Sequence, residues 1–273
     1  MARLGLPICE LMSHLDYADI FERYMFGGAR ALRDLTPGLV TVSQLPPQVE
    51  RQRDDWLDGE PTLALQVKAS WRRCAASVSS ALRRHEDLIR ELPCTAKGFL
   101  EADASSRLLD VCRRVYGDSR LRVVVGLNFY CTRRSLRIHP MPGVTRVTRG
   151  NVDEIITALK PGIGEYADES ILANGPAFAF YHNGRPVGFA GVHSSFMSDK
   201  VGNVGCVFVE EAHRGRGIAK AVVSAVAGEL LAAGRVPVYG CFADNTGSVR
   251  TAQRAGFAMR GYNCRIFVAR YTC

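Results

Sequence analysis

The stretch VFVEEAHRGRGIAKAVV, residues 207–223, decides how the carboxy-terminal half of this chain folds. Its first residues are apolar and predict a strand, its last residues have helical spacing, and two glycines and two arginines separate them. A turn from a strand into a helix directs several backbone N–H groups at one place, where the positive end of the helix dipole also lies. Gly215 and Gly217 leave space for an anion beside those amides, and Arg214 and Arg216 add positive charge. The stretch therefore indicates an anion-binding loop, the alternative being a glycine-rich turn that only redirects the chain.

The common nucleotide-binding loops do not fit this turn. The pattern GxGxxG is broken, because Ile218, Ala219 and Lys220 follow Gly217, and no GxxxxGK followed by Ser or Thr occurs in the chain. These departures argue against a nucleoside triphosphatase and against a dinucleotide-dependent dehydrogenase.

Short elements on both sides of the turn predict a mixed α/β domain. Asn183-Gly184 lies between two apolar runs and predicts a hairpin of antiparallel strands. Gly234 ends the helix that begins at Gly217, and Asn245 is suited to cap the next helix. The predicted strands are 144–147, 177–182, 185–196, 201–209 and 236–242, with FAMRGY (257–262) and NCRIFVARY (263–271) as two final strands; the predicted helices begin near 151 and span 217–233 and 245–257.

The first half of the chain predicts mostly helices. Apolar residues at helical spacing predict a helix over 63–92 and another over 105–117, and β-branched and aromatic residues predict a strand over 120–131. Two prolines and a glycine in IHPMPGV, residues 138–144, indicate a domain boundary near residue 141. We therefore expect an accessory domain over residues 1–140, mainly helical with some strands, and a mixed-sheet domain over 141–273.

Two motifs in the second half resemble the GNAT superfamily of N-acetyltransferases. Arg214, Gly217 and Ala219 match its loop signature, preceded by Val209, although Glu211 stands where a proline is common. A second signature, an asparagine followed by a short helix that ends in Gly-Phe, is matched by Asn245, Ser248, Gly256 and Phe257. The resemblance covers about residues 143–273, and PVY at 237–239 is similar to the glycine-N-acyltransferase-like branch. That branch carries an amino-terminal extension, often a degenerate copy of the same fold, so the resemblance implies that residues 1–140 are either such a copy or a mostly helical domain.

The resemblance implies acetyl-CoA, or another acyl-CoA, as the acyl donor. It implies that strand backbone at Val207 and Val209 holds the pantetheine arm in a gap between two diverging strands and polarises the thioester carbonyl. It assigns the pyrophosphate to Arg214, Gly215, Arg216, Gly217, Ile218 and Ala219, and further donor contacts to Asn245 and Ser248.

Acyl transfer to an amine needs a base that removes a proton from the cationic amine. His193 and Glu210 are the candidates, each with an ordinary packing or surface role as the alternative, and Asp199 is expected to be solvated. Many family members use a tyrosine in the last helix to assist departure of the thiolate, but this chain has Ala252 there. Tyr262 is the candidate that replaces it, with Tyr239, a water or a reaction without any general acid as the alternatives.

The composition limits the classes of function. The net charge is +8 and the chain is 47% hydrophobic and 23% charged, as in ordinary globular proteins, so a nucleic-acid footprint is not indicated. No apolar window is long enough to span a membrane. The 9 cysteines are odd in number and form no CxxC pair, which indicates reduced thiols in the cytoplasm and no metal site. Among them, Cys264 is a candidate acyl carrier or a buried thiol.

Three functions remain open at this stage. The first is an N-acyltransferase that acts on the amine of a small molecule or amino acid. The second is a protein or peptide N-acetyltransferase, against which the positive net charge argues mildly. The third is a non-catalytic acyl-CoA-binding regulator, suggested by Ala252. The sequence also leaves a homodimer open.

Overall fold

The computed structural model describes residues 17–18, 20–21, 24–25, 40–44, 62–70, 74–90, 102–117, 120–163, 171–193 and 200–269. They belong to two compact units. The first unit takes in Met1–Tyr24 and Phe129–Met259, and the second takes in Met25–Asn128 and Arg260–Cys273. Residues 129–140, which the sequence assigned to the accessory domain, thus fall in the first unit.

The described strands and helices alternate along the chain as in a mixed α/β protein. The strands are β1 (Val40–Gln44), β2 (Thr62–Ser70), β3 (Cys74–Val78), β4 (Arg120–Tyr130), β5 (Val144–Arg146), β6 (Phe178–His182), β7 (Arg185–His193), β8 (Val201–Val209), β9 (Val236–Phe242) and β10 (Ala258–Ala269). The α-helices are α1 (Glu86–Arg90), α2 (Ala102–Tyr116), α3 (Val152–Ile163), α4 (Ile171–Asn174), α5 (Ile218–Ala232) and α6 (Thr246–Arg254). The predicted fold class is confirmed.

The second unit contains strands in the order β1, β3, β2, β10, β4. The helix predicted over 63–92 is wrong in its first part, because residues 62–70 and 74–78 form antiparallel strands. Leu63, Leu65 and Val67 are buried at a spacing of two, which is the period of a strand. Leu63 and Val67 also fit a helical spacing, so the sequence pattern was ambiguous.

The end of the chain differs from the prediction of two strands. Residues 258–269 form one strand, β10, because Gly261, Tyr262 and Asn263 keep pairing with β2 and the chain does not reverse. A register shift between Ile266 and Phe267 is accommodated within that strand.

The first unit contains strands in the order β9, β8, β7, β6, β5. The hairpin predicted at Asn183-Gly184 is confirmed, since both residues have the positive φ angles, 49° and 76°, that this tight turn requires. Helix α3 packs its buried face with Ala179 and Phe189, whereas Ile218 of α5 packs with Val187 and Val209. Strand β8 pairs with β7 from Asn203 to Val209. No helix within the described ranges is both long and apolar enough to cross a membrane.

Candidate functional site

The parallel strands β8 and β9 separate partway along their length. Their pairing runs from Val201 with Val236 to Val204 with Tyr239, although β8 continues to Val209 and β9 to Phe242. A bulge coincides with the separation: Cys206 has a φ of 51°, and the pairing with β7 shifts register there. Because bulges bend a strand and interrupt its pairing, this one accounts for a gap at the sheet.

The backbone of β8 presents hydrogen-bond donors to this gap. The N–H of Glu210 donates to Val187 O of β7 at 2.9 Å. Because successive N–H groups of a strand point to opposite edges, the N–H groups of Val207 and Val209 face the gap. The carbonyl oxygen of Val209 lies on the same side and accepts a hydrogen bond from Arg214 Nε at 3.0 Å.

The turn after β8 leads into α5 through two glycines in the left-handed region. Gly215 has a φ of 79°, and Gly217, the N-cap residue of α5, has a φ of 86° and no side-chain cap. In this part of the chain the first helical amide with a backbone acceptor is that of Ala221, which donates to Gly217 O at 3.1 Å. The preceding N–H groups are thus open donors at the positive end of the helix dipole.

These donors open onto a cavity of about 640 Å³. It is lined by Val207, Phe208, Val209, His213, Arg214, Gly215, Gly217, Ile218, Ala219, Lys220, Tyr239, Asn245, Gly247, Ser248, Arg250, Thr251 and Arg254. Four cations line the cavity and have no carboxylate partner among the described residues, namely Arg214, Lys220, Arg250 and Arg254. The cavity is therefore suited to a ligand with several negative charges.

The wall formed by α6 holds a pair of hydroxyl groups. Asn245 Oδ1 caps the helix by accepting from the N–H of Ser248 at 3.0 Å, as predicted. Tyr239 Oη lies 2.7 Å from Ser248 Oγ. Burial raises the pKa of Tyr239 to about 12, so its phenol stays protonated at neutral pH.

Most predicted donor-binding residues line this cavity. They are Val207, Val209, Arg214, Gly215, Gly217, Ile218, Ala219, Asn245 and Ser248, whereas Arg216 is exposed and does not line it. Sequence reasoning missed Lys220, Arg250, Arg254 and His213. Arg250 and Arg254 could have been recognised from the sequence, because they lie four residues apart and therefore on one face of the helix that Asn245 was predicted to cap.

The predicted bases lie in different surroundings. The carboxylate of Glu210 forms a bidentate ion pair with Arg185, in which Arg185 Nη1 lies 3.3 Å from Glu210 Oε2. Glu210 does not line the cavity. His193 is the last residue of β7, and its Cβ packs beside Gly205, next to the point where β8 and β9 separate. Like Glu210, it does not line the cavity. Asp199 lies outside the described residues.

Tyr262 is not brought to the cavity. Its side chain is completely buried within β10 of the second unit, where it pairs with Ala69. The tyrosine that does line the cavity is Tyr239. Cys264 is also buried, and burial raises its pKa to about 11, so its thiol is not ionised at neutral pH. An acyl-carrier role for that cysteine would need the thiolate.

Residues 154–257 match the model of the acetyltransferase (GNAT) family. A search of curated proteins found no match. Similar solved structures include a GCN5-related N-acetyltransferase from Kribbella flavida (17% identity over 62% of this chain and 65% of that chain, TM-score 0.46). They also include a GNAT-family acetyltransferase from Colwellia psychrerythraea (16% identity, 62% of each chain, TM-score 0.47). A Salmonella typhimurium protein described with its cofactor acetyl-CoA has 16% identity, with 48% of this chain and 98% of that chain covered, and a TM-score of 0.37.

Proposed function

We propose that the chain is an acyl-CoA-dependent acyltransferase, because residues 154–257 match the model of the acetyltransferase (GNAT) family. The chain transfers an acetyl or other short acyl group from CoA to a primary amine of a small molecule or amino acid. The amine attacks directly, with both substrates bound. The observation that carries the proposal is the gap between β8 and β9, into which the N–H groups of Val207 and Val209 point.

The residues around the cavity fit an acyl-CoA. The open N–H groups at the start of α5 and the charge of Arg214 would hold the pyrophosphate, since Gly215 leaves open space where a Cβ would stand. The exposed Arg216 would add positive charge outside the cavity. Arg250 and Arg254 line the same cavity and would take the 3′-phosphate of the donor. The thioester supplies the activated acyl group.

Two side chains would move or hold protons in this reaction. His193, beside the point where the strands separate, would accept the proton that the acceptor amine loses. Tyr239 takes the place of Tyr262 in this proposal: its O–H, paired with Ser248, would donate a hydrogen bond to the sulfur as the C–S bond breaks. With a pKa of about 12, the phenol stabilises the thiolate by hydrogen bonding, and solvent completes protonation of the sulfur.

A small acceptor is favoured over a lysine-rich protein tail by the net charge of the chain, which is +8 and argues mildly against a basic protein partner. We place the enzyme in the cytoplasm, without nucleic acid or membrane as a partner. Ala252, where many family members have a tyrosine, favours the second candidate, a non-catalytic acyl-CoA-binding regulator.

The proposal is tested by mixing the purified chain with acetyl-CoA or longer acyl-CoAs and a panel of small amines, amino acids and a lysine-containing peptide. Thiol release and the mass of the acylated product are measured together. Release with a small amine supports the proposal, and release only with the peptide identifies a protein N-acetyltransferase. Tight binding of acetyl-CoA without release identifies the regulator.

A further inference from the structure

Four polar side chains form a patch on one face of the β2 and β10 pair in the second unit. The antiparallel register places Lys68 opposite Asn263 and Gln66 opposite Arg265. Residues two apart share a face of a strand, and side chains directly opposite have Cβ atoms about 5 Å apart. The intervening residues Val67 and Cys264 are buried on the other face. The four residues, all half-buried, are called here the cationic patch.

Among the residues that the structure describes, no acid balances the charges of the cationic patch. The ion pairs within the described ranges include neither Lys68 nor Arg265, and Arg265 Nε is buried without a hydrogen-bond partner. Burial, and next the positive charge of Arg265, lower the pKa of Lys68. Two neighbouring cations that lose water without gaining a counter-ion destabilise the folded chain.

The hydrogen bonds inside the cationic patch leave donors for a ligand. Gln66 Nε2 donates to Asn263 Oδ1 at 3.2 Å, so the amide Nδ2 of Asn263 remains a donor beside Lys68. The guanidinium of Arg265 lies 5.6 Å from the centre of the Phe267 ring, which restricts its orientation. A guanidinium, an ammonium and an amide N–H are thus neighbours on one face of the strand pair, and the patch contains no carboxylate.

We propose that the cationic patch binds the carboxylate of a small molecule. A carboxylate has two oxygens in one plane, which match the two N–H groups that a guanidinium presents side by side, and the ammonium and the amide satisfy the remaining lone pairs. The site lies within the second unit and is independent of the acyltransferase function proposed above.

The test uses the full chain and measures its melting temperature and calorimetric binding in acetate, succinate, glutamate, phosphate or chloride at equal ionic strength. We expect the carboxylates to raise the melting temperature beyond the effect of chloride. The Lys68→Gln variant should lose that response and bind the best carboxylate at least tenfold more weakly. Arg107→Gln, which removes an exposed charge from α2, is the matched control and should behave like the parent chain.

A second variant tests the site without any added ligand. Asn263→Asp places a carboxylate among the cations and keeps an acceptor for Gln66. It should melt at a higher temperature than the parent chain and should no longer respond to carboxylates. The proposal is overturned if carboxylates act only as chloride does, if phosphate alone stabilises, if Lys68→Gln keeps the full response, or if Asn263→Asp lowers the melting temperature.

Discussion

Val204 of β8 and Tyr239 of β9 form the last residue pair that joins these parallel strands. The bulge at Cys206 follows immediately on β8, and the edge of β8 beyond it carries the outward N–H groups of Val207 and Val209. The pair thus marks the inner end of the gap, where the acyl group of the donor is expected. The predictions that follow test the groups arranged around that end and along the cavity.

The start of α5 is expected to bind the pyrophosphate, and Ala219→Asp tests it. Ala219 lines the cavity in the first turn of the helix. The helix dipole stabilises a carboxylate at this position, but the carboxylate would repel a bound phosphate. Calorimetry with CoA should show binding weakened at least about tenfold, equivalent to about 1.4 kcal/mol, with a melting temperature no lower than that of the parent chain. Ala219→Asn, nearly equal in size but neutral, is the control and should bind more tightly than Ala219→Asp.

Gly217→Asp is a less selective probe of the same loop. Gly217 has a φ of 86°, and a residue with a Cβ in the left-handed region costs roughly 1–2 kcal/mol. We therefore expect Gly217→Ala, which adds no charge, to lower the free energy of unfolding by roughly that amount in urea denaturation. An Ala variant as stable as the parent would show that the positive φ is not required.

Arg250 and Arg254 are predicted to recognise the 3′-phosphate of the donor. The parent chain should bind CoA more tightly than dephospho-CoA, which lacks that phosphate. The double variant Arg250→Gln with Arg254→Gln should lose about tenfold or more of this preference while its affinity for dephospho-CoA changes little. An unchanged preference for CoA would remove both arginines from the donor site.

Tyr239→Phe tests the hydroxyl pair by its effect on turnover and on alkaline stability. Loss of the hydrogen bond to sulfur should lower kcat on the order of tenfold to a hundredfold, with little change in the KM for acetyl-CoA. The pKa of Tyr239 is about 12 in the folded chain, against 10.0 for an ordinary tyrosine. The folded state therefore holds this proton more tightly, and its stabilisation is complete below pH 10 and lost as pH rises to 12. The free energy of unfolding of Tyr239→Phe should fall less steeply between these pH values.

His193→Gln separates a base from a packing residue. If His193 accepts the proton of the amine, kcat/KM should fall about a hundredfold near neutral pH. This loss of kcat/KM should become smaller as the pH is raised toward the pKa of the acceptor amine, because more of the amine is then already unprotonated. A loss of equal size at every pH would indicate that His193 only positions β7.

The sequence predicted the carboxy-terminal elements well because each has a local signal. Gly234, with a φ of 71°, ends α5, and Asn245 caps α6 through its own side chain. The strands β2 and β3 were not predicted because apolar residues such as Leu63 and Val67 fit the spacing of a strand and that of a helix alike. Only pairing between distant segments, such as Val67 with Cys264, decides between the two.

The parts of the candidate site that are formed by backbone groups could be predicted from the sequence. The positions of the side chains around the cavity could not. Glycines, a helix start and an apolar strand identify the anion-binding turn, since these features are local. The position of Tyr239 beside Ser248 depends on how α6 packs against β9, which no local pattern encodes. For the same reason the sequence could not distinguish Tyr262 from the other tyrosines, and Tyr262 is buried in β10 and does not line the cavity.

The gap between β8 and β9 is tested most directly by amide hydrogen exchange, measured by NMR with and without CoA. We predict that CoA slows exchange at Val207 and Val209, and at the amides of residues 215–219. Exchange at Glu210, whose N–H already donates to Val187, should not change. Equal exchange rates for Val207 and Val209 with and without bound CoA would contradict the account, because the donor would then lie outside the gap.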